Sequence, residues 1–291
     1  ILTLVLLGAF QGVYLLVVRE QQVQLHKFKT EQKVNLSSSL VEAVRECEKN
    51  GRAVNFLSPQ FLELYPSGEK VKLELVKSRD ISVGICEWEA ITGGSEGTVS
   101  VFVEEFFPPG GKNSELYQKD IFAGGGLAGK PLSSVISVEE GTGSELIANL
   151  EMNRYNKFHS LFLPTADELA NFGLRDRLYY RTEDGTDNWK VAAKTIIKGN
   201  GVLVGETGIK IGDNSSNMGK MTLISGSGIG IGNNVNLDKV LLIAKKNISI
   251  GNNSTINGII ICGGRITIGE GFNYTPNRSV LEPFYSELYY Q

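Results

Sequence analysis

Four related hexamers decide the fold of this chain. They are Ile-Lys-Ile-Gly-Asp-Asn from Ile209, Ile-Gly-Ile-Gly-Asn-Asn from Ile229, Ile-Ser-Ile-Gly-Asn-Asn from Ile248 and Ile-Thr-Ile-Gly-Glu-Gly from Ile266. The glycines that close the Ile-x-Ile units lie 20, 19 and 18 residues apart, at Gly212, Gly232, Gly251 and Gly269. A repeat of about 20 residues with short β segments is typical of a β-solenoid. An antiparallel sheet with Gly-Asn hairpins is the alternative, but hairpins do not return one hexamer so regularly.

The residue types of the hexamer explain how such a rung is built. Ile-x-Ile directs two β-branched side chains to one side of a strand and one residue to the other. The Gly and Asn that follow suit a corner, because both accept positive φ at small steric cost. Asn214, Asn234 and Asn253 recur at this corner, where we expect their amides to stack in a ladder.

Other hexamers fill the intervals, so three of them make one triangular turn. They begin at Met221, Leu241 and Ile260. The spacing predicts about four turns over residues 194–272, with caps at both ends, since each turn of a solenoid contacts only its neighbours. This part of the chain resembles hexapeptide left-handed β-helices and bactofilin-like solenoids.

Charge is distributed unevenly along the 291 residues, whose net charge is −3. Nothing in this total calls for a nucleic-acid partner, but residues 190–272 hold nine Lys and Arg against four Asp and Glu. Lys239, Lys245, Lys246 and Arg265 are close in the repeat, and Lys245 and Arg265 fall near one corner in successive rungs. Such a row can follow a phosphate backbone, or it can be an ordinary solvated face.

The first 50 residues predict one long helix. Residues 1–18 carry no charge and would span ~27 Å as a helix, enough for the hydrocarbon core of a membrane; a buried core helix is the alternative. Residues 19–49 contain neither Gly nor Pro. An apolar face recurs at helical spacing, at Leu36, Leu40, Val44 and Cys47.

An apolar start that runs unbroken into an amphipathic helix resembles the first helix of type IV pilins and pseudopilins. The resemblance covers about residues 1–107 and implies contact with other pilins through Ile1, Val5, Leu7, Phe10, Leu15 and Val18. The family carries a glutamate at the fifth position, where this chain has Val5. In lacking this glutamate, the chain resembles the minor subunits that cap a filament tip.

Residues 51–107 predict an antiparallel sheet that the amphipathic part of the helix covers. Apolar residues alternate in three runs, 70–76, 81–85 and 99–103, and the turns are expected at residues 78–80 and 93–97. Three cysteines make no disulfide framework. Cys47 and Cys86 could form one disulfide or remain two buried thiols.

Residues 108–193 form a middle module whose fold the sequence does not reveal. Residues 124–130, Gly-Gly-Gly-Leu-Ala-Gly-Lys, match the spacing of a phosphate-binding loop. Pro131 stands where such a loop needs Ser or Thr, and a strand-like run follows instead of a helix. We therefore expect no nucleotide or other cofactor. His26 and His159 lie outside the repeat, and no catalytic triad or metal spacing is present, so no enzymatic activity is expected.

The tail, residues 273–291, is expected to cap the solenoid. Residues 240–244 and 259–262 are apolar at every position, as in strands buried on both sides. Leu242 and Ile261 are expected to point outward, with residues 280–290 folding back over them or docking this face to the middle module.

The sequence therefore predicts an α+β pilin-like head on one long N-terminal helix, joined to an all-β solenoid of about four rungs. The expected function is that of a minor pilin or pseudopilin, anchored in the cell envelope before filament assembly, whose solenoid binds a ligand, DNA in one version. Two alternatives stay open. One is a membrane-anchored bactofilin-like polymer subunit, and the other is a surface adhesin for glycan or protein.

Overall fold

The structure is a computed structural model that describes most of the solenoid and parts of the remaining chain. The residues described are 2–49, 60–65, 67–82, 85–94, 97–106, 121–129, 138–140, 143–144, 147, 150–152, 155, 173–174, 177–181, 189–281 and 284–290. Within these ranges, the side chains of residues 2–14, 48–49, 76–82, 85–88, 102–106, 138–140, 177 and 284–290 lie outside the description.

One long helix precedes a series of strands. The helix is α1, Leu2–Lys49. The first strands are β1 Gln60–Leu64, β2 Glu69–Ser82, β3 Ile85–Gly94, β4 Gly97–Phe106, β5 Ile121–Ala123, β6 Leu127–Ala128 and β7 Val138–Glu140. The next are β8 Arg177–Arg181, β9 Trp189–Val191, β10 Ile196–Lys198, β11 Gly201–Gly205, β12 Gly208–Ile211, β13 Ser216–Met218 and β14 Met221–Ser225. The last are β15 Gly228–Ile231, β16 Asn236–Ala244, β17 Ile248–Ile250, β18 Thr255–Cys262, β19 Ile266–Ile268, β20 Asn273–Pro276 and β21 Phe284–Tyr290.

The chain divides into two compact units. The first comprises residues 1–77, 88–102 and 287–291, and the second comprises residues 78–87 and 103–286. The first contains α1 and most of a five-stranded sheet in the order β1-β2-β3-β4-β21. The second contains the solenoid. Because β4 and β21 are neighbours in that sheet, the solenoid is an insertion between two adjacent strands.

The 48-residue helix confirms the prediction of a single N-terminal helix. Residues 15–28 are exposed except for the half-buried Val18. The side chains of residues 2–14, which carry most of the predicted anchor, lie outside the described residues. Within the described part of the chain, no helix is both long and apolar enough to cross a membrane.

The helix face that meets the sheet differs from the predicted face. Of the predicted face only Val44 is buried, whereas Leu36, Leu40 and Cys47 are half-buried. The residues with less than 9% exposure follow a neighbouring line of the helix: Lys29, Lys33, Ser37, Val41, Val44 and Arg45. An apolar periodicity could not identify this line, because four of its six residues are polar or charged.

Polar partners on the sheet explain the buried polar side of the helix. The ammonium of Lys33 lies 3.0 Å from Glu69 and 3.2 Å from the carbonyl oxygen of Gly97, and Lys29 lies 3.5 Å from Glu69. Ser37 and Thr92 share a hydrogen bond of 2.7 Å. Buried charges are stable only when paired in this way, so these contacts fix the register of helix and sheet.

The sheet also corrects two turn and tail predictions. β2 continues through residues 78–80, where a turn was predicted. The turn predicted at residues 93–97 falls where β3 ends at Gly94 and β4 begins at Gly97, and residues 95–96 lie outside the described residues. β21 lies beside β4, so residues 284–290 extend this sheet and do not cover the solenoid.

The second unit is a β-solenoid of about five turns, one more than predicted. Its recorded strand pairs are all parallel, and strands stack on three faces. The apolar face contains β8, β11, β14, the end of β16, β18, β5 and β7. The lysine face contains β9, β12, β15, β17, β19 and β6, and the third face contains β10, β13, the start of β16, the start of β18 and β20.

The predicted interior of the solenoid is confirmed. All eight isoleucines of the Ile-x-Ile units are buried, at 0 to 7% exposure: Ile209, Ile211, Ile229, Ile231, Ile248, Ile250, Ile266 and Ile268. They share one core cluster with side chains from the other two faces, including Leu223 of the apolar face and Leu237 of the third face. Continuous burial of this kind is the main stabilising term of a repeat stack.

A segment from early in the chain forms the last turn. β5 pairs with the end of β18 and β6 pairs with β19, while β7 pairs with β5. Residues 121–129 belong to the region whose fold the sequence left open. The chain therefore enters the solenoid at its far end, and the turn that starts at β8 lies at the other end.

The apolar face is buried on both sides, as its continuous apolar runs predicted. Its outward residues are Leu241, Ile243, Ile259 and Ile261, each at most 1% exposed. Leu242 instead points into the core, because it is the register partner of Ile260. The prediction for Leu242 was wrong by one residue, and a slip of one residue in a strand exchanges its two sides.

Segments of the second unit cover this face. The ring of Tyr155 lies 6.1 Å from that of Tyr180 on β8, and Ile147 and Leu150 are buried nearby in the chain. The short 3-10 helix Arg278–Leu281 packs near β16 and β18 and buries Val280 and Leu281. The cover thus combines the middle region with only the first part of the predicted tail segment.

Candidate binding surface of the solenoid

The structure brings three of the four predicted nucleic-acid-binding residues to one corner. Lys245 and Lys246 form the corner between β16 and β17, and Arg265 lies at the same corner one turn further. The amides of Lys245 and Lys246 donate to the carbonyls of Ser225 and Ser227, and the amide of Arg265 donates to Asn247 Oδ1 at 2.9 Å.

Lys239 does not join this group. It sits at a different corner, with φ 50°, where β16 passes from the third face to the apolar face. Six residues of extended chain separate it from Lys245, which amounts to ~20 Å. The four residues therefore do not form the single row that the sequence suggested.

The cations at these corners are open to solvent. Lys239, Lys246 and Arg265 are exposed and Lys245 is half-buried. None of their side chains makes an ion pair or hydrogen bond within the described part of the chain. Their charges remain available to an anionic ligand.

A second pair of cations escaped the sequence analysis. Lys190 of β9 and Lys210 of β12 are register partners on the lysine face, both exposed and both outward. The sequence signal for this pair was a lysine in the middle of two apolar-Lys-apolar triplets, Trp189-Lys190-Val191 and Ile209-Lys210-Ile211. It was missed because Trp189-Lys-Val191 does not match the Ile-x-Ile hexamer by which the repeat was aligned.

The corner after the lysine face holds a side-chain ladder, shifted by one residue from the prediction. Asn214, Asn234 and Asn253 adopt positive φ of 53 to 58°, as corner residues should. The ladder uses the preceding residue instead. The backbone N–H of Asn233 donates to Asp213 Oδ1, that of Asn252 to Asn233 Oδ1, and that of Glu270 to Asn252 Oδ1, each at 2.8 Å.

The described part of the stretch that matched a phosphate-binding loop is a solenoid corner, residues 124–126, followed by β6. The amides of Gly124 and Gly125 donate to the carbonyls of Cys262 and Gly264, both at 2.8 Å. A Cβ at Gly124 would collide with the carbonyl of Gly263. The glycines are needed because this corner lies directly against the corner of the previous turn.

Aromatic residues close the other end of the solenoid. Trp189 is 2% exposed, donates from Nε1 to the Val204 carbonyl at 2.8 Å and lies under the guanidinium of Arg181, 4.1 Å from the ring centroid. Burial, together with the carboxylate of Glu206, raises the pKa of Tyr180 to about 12. The tyrosine hydroxyl therefore stays neutral and serves packing.

The predicted assembly residues are described only in part. Leu15 is 66% exposed and Val18 is half-buried. Ile1 and the side chains of Val5, Leu7 and Phe10 lie outside the described residues. Cys47 is a free thiol, which differs from a disulfide with Cys86, whose side chain is not described.

The described residues show no cluster that could hold a metal ion. His26 lies exposed on α1, and His159 is outside the described residues. The described residues do place exposed cations at the solenoid corners and on the lysine face. No family model, curated protein or solved structure matches this chain.

Proposed function

We propose that this protein is a minor pilin or pseudopilin that is tethered through α1 and displays its solenoid as a binding module. The observation that carries the proposal is an exposed stretch of α1, residues 15–28. Leu16, Val23 and Leu25 are 67%, 62% and 43% exposed there, whereas one face further along the helix is buried against the sheet. Apolar helix surface of this extent favours a helical or lipid partner.

The connectivity supports display of the solenoid. Both ends of the inserted segment return to the sheet that carries α1, at β4 and β21. Two covalent connections therefore join the solenoid to the unit that carries α1. A subunit tethered through α1 would therefore display the solenoid as an insertion between β4 and β21, and not as a terminal extension.

The end-to-end polymer alternative receives less support. At one end of the solenoid, β5, β6 and β7 add strands beyond β18 and β19. At the other end, Tyr179 and Trp189 of the first turn are 8% and 2% exposed. Stacking of solenoid ends would need open apolar turns, which the described residues do not provide.

The test uses the full chain in its native host. Val23→Asp should abolish co-purification with sheared filaments, because a charge at an apolar helix contact is costly to bury. Gln24→Asp, one residue away and also exposed, is the matched control and should co-purify. Equal recovery of both variants, or absence of the wild-type chain from filaments, would refute the filament role.

A tip position makes a separate prediction. Label on an epitope-tagged wild-type chain should appear only at filament ends, and Val5→Glu should be tolerated or should promote incorporation along the shaft. Uniform label along the shaft of wild-type filaments would contradict the tip assignment without affecting the filament role.

A further inference from the structure

The lysine face carries an electrostatic feature that the fold does not require. Lys190 and Lys210 occupy register positions on adjacent parallel strands, which stand about 4.8 Å apart. Like charges directly opposite each other in a sheet repel. Neither ammonium has an ion-pair partner within the described residues. Within the described residues, no ion pair therefore offsets this repulsion.

The same column of outward residues continues over small side chains. Its members beyond Lys210 are Gly230, Ser249, Thr267 and Ala128, in register from strand to strand. None of them is charged, aromatic or large. The lysine face is thus a low floor that a ligand can approach closely, with two cations at one end.

Gly230 is the element of this floor that packing leaves unexplained. A Cβ there would lie 3.7 Å from Ser249 Oγ and 3.9 Å from Lys210 Cγ, an ordinary contact distance, and its φ is not positive. At Gly232, by contrast, a Cβ would come within 2.8 Å of the Asp213 amide nitrogen. Glycine inside a strand is unfavourable and often marks close approach of a ligand.

Further cations border the floor at its other end. Lys246 and Arg265 lie at the corner where β17 and β19 begin, two and one turns from β6. The carboxylates here also lie at corners: Glu206 at the same corner as Lys246 and Arg265, where β12 begins, and Asp213 and Glu270 at the opposite corner. The only charged residues at the outward positions of the floor itself are cations, and these together with the corner cations Lys246 and Arg265 extend over several strand spacings, roughly 20 Å.

The chemistry of this surface selects among anionic polymers. Single-stranded nucleic acid and neutral glycans are bound through aromatic platforms, and none of the six outward positions is aromatic. Phosphates of a duplex need only spaced cations and open access. We propose that the lysine face binds the phosphate backbone of double-stranded nucleic acid, with Lys190 and Lys210 as phosphate contacts and Gly230 as the point of closest approach.

This inference rests on the solenoid being the displayed binding module, and it names the ligand class. Binding to a duplex in solution does not require filament assembly. Filament co-purification of the Lys190 and Lys210 variants is therefore measured alongside and should be unchanged. Duplex binding that does not depend on these lysines would contradict the ligand proposal, whereas absence of the wild-type chain from filaments would contradict the filament role.

The first experiment measures binding of the full chain to a fluorescent DNA duplex across a series of salt concentrations. Replacing Lys190 and Lys210 together by Ala should weaken binding and reduce the slope of log affinity against log salt by about two units. The control replaces Lys198 and Lys239 by Ala, which removes the same charge from exposed positions off the lysine face and should leave the slope unchanged. An unchanged slope in the Lys190 and Lys210 variant would overturn the proposal.

The second experiment separates shape from charge. Gly230→Tyr should abolish duplex binding by filling the floor, while the melting temperature stays the same or rises, because tyrosine suits an exposed strand position better than glycine. Asn236→Tyr on the third face is the control and should bind like wild type. Retained binding in Gly230→Tyr, or wild-type affinity only for an acidic polysaccharide and none for the duplex, would show that this surface has a different use.

Discussion

The solenoid and the helix-bearing sheet obtain their stability over different chain distances. In the solenoid, hydrogen bonds such as that from the Asn252 amide to Asn233 join residues 19 apart in the chain. In the sheet, β4 lies next to β21, although the whole solenoid separates these two strands in the chain. Apart from the last turn, which β5 and β6 form from early in the chain, a solenoid turn needs only the turns next to it in sequence, whereas the sheet needs a strand from the far end of the chain.

The comparison predicts that damage can be confined to one unit. Glu69→Ala should give the largest effect, a loss of about 3–5 kcal/mol in the stability of the first unit, because Lys33 would remain buried without its partner. Glu74→Ala on the same strand is the control, since its ion pair with Lys72 is about half exposed and worth about 0–1 kcal/mol. Hydrogen exchange should show lost protection in β1–β4 and unchanged protection in β11–β18. Equal loss in both units would mean that they unfold as one.

The second prediction applies the same comparison to the solenoid. Gly124→Ala should destabilise the last turn by about 1–3 kcal/mol, because the added methyl group would collide with the Gly263 carbonyl. Gly230→Ala adds the same group where there is room and should be neutral or stabilising. Thermal melts of the two variants would decide, and equal melting temperatures would contradict the close contact at Gly124.

The smallest effect is expected at the corner ladder. Asn233→Ala removes the acceptor of the Asn252 amide and should cost about 0.5–1.5 kcal/mol. Asn234→Gly leaves the ladder intact and suits the positive φ of 53°, so stability should stay close to wild type. A larger loss of stability in Asn234→Gly than in Asn233→Ala would show that the ladder runs through Asn214, Asn234 and Asn253, as the sequence predicted.

Local signals in the sequence were sufficient for the repeat and the helix. Ile-x-Ile predicted the buried residues, and the absence of Gly and Pro from residues 19–49 predicted one unbroken helix. The last turn could not be predicted, because residues 121–129 bear no hexamer and their glycines match the spacing of a phosphate-binding loop. Only contact with the corner at Gly263 and Gly264 explains them.

Polar burial was equally hidden from the sequence. Lys33 and Ser37 interrupt any apolar periodicity, and their burial depends on Glu69 and Thr92 of distant strands. The candidate surface shows the same limit. Lys210 lies in one of the hexamers that defined the repeat, but its position next to Lys190 follows only from the strand register.

The closing of the solenoid by a segment from before its first turn is the claim on which this account depends most. Ala128 and Thr267 are register partners on β6 and β19, so cysteines at both positions fall within disulfide range. With Cys47 and Cys86 replaced by Ser, Ala128→Cys with Thr267→Cys should cross-link under mild oxidation. Ala128→Cys with Ser249→Cys, one strand further away, should not. Failure of the first pair, or equal cross-linking of both, would contradict the placement of residues 121–129 as the last turn.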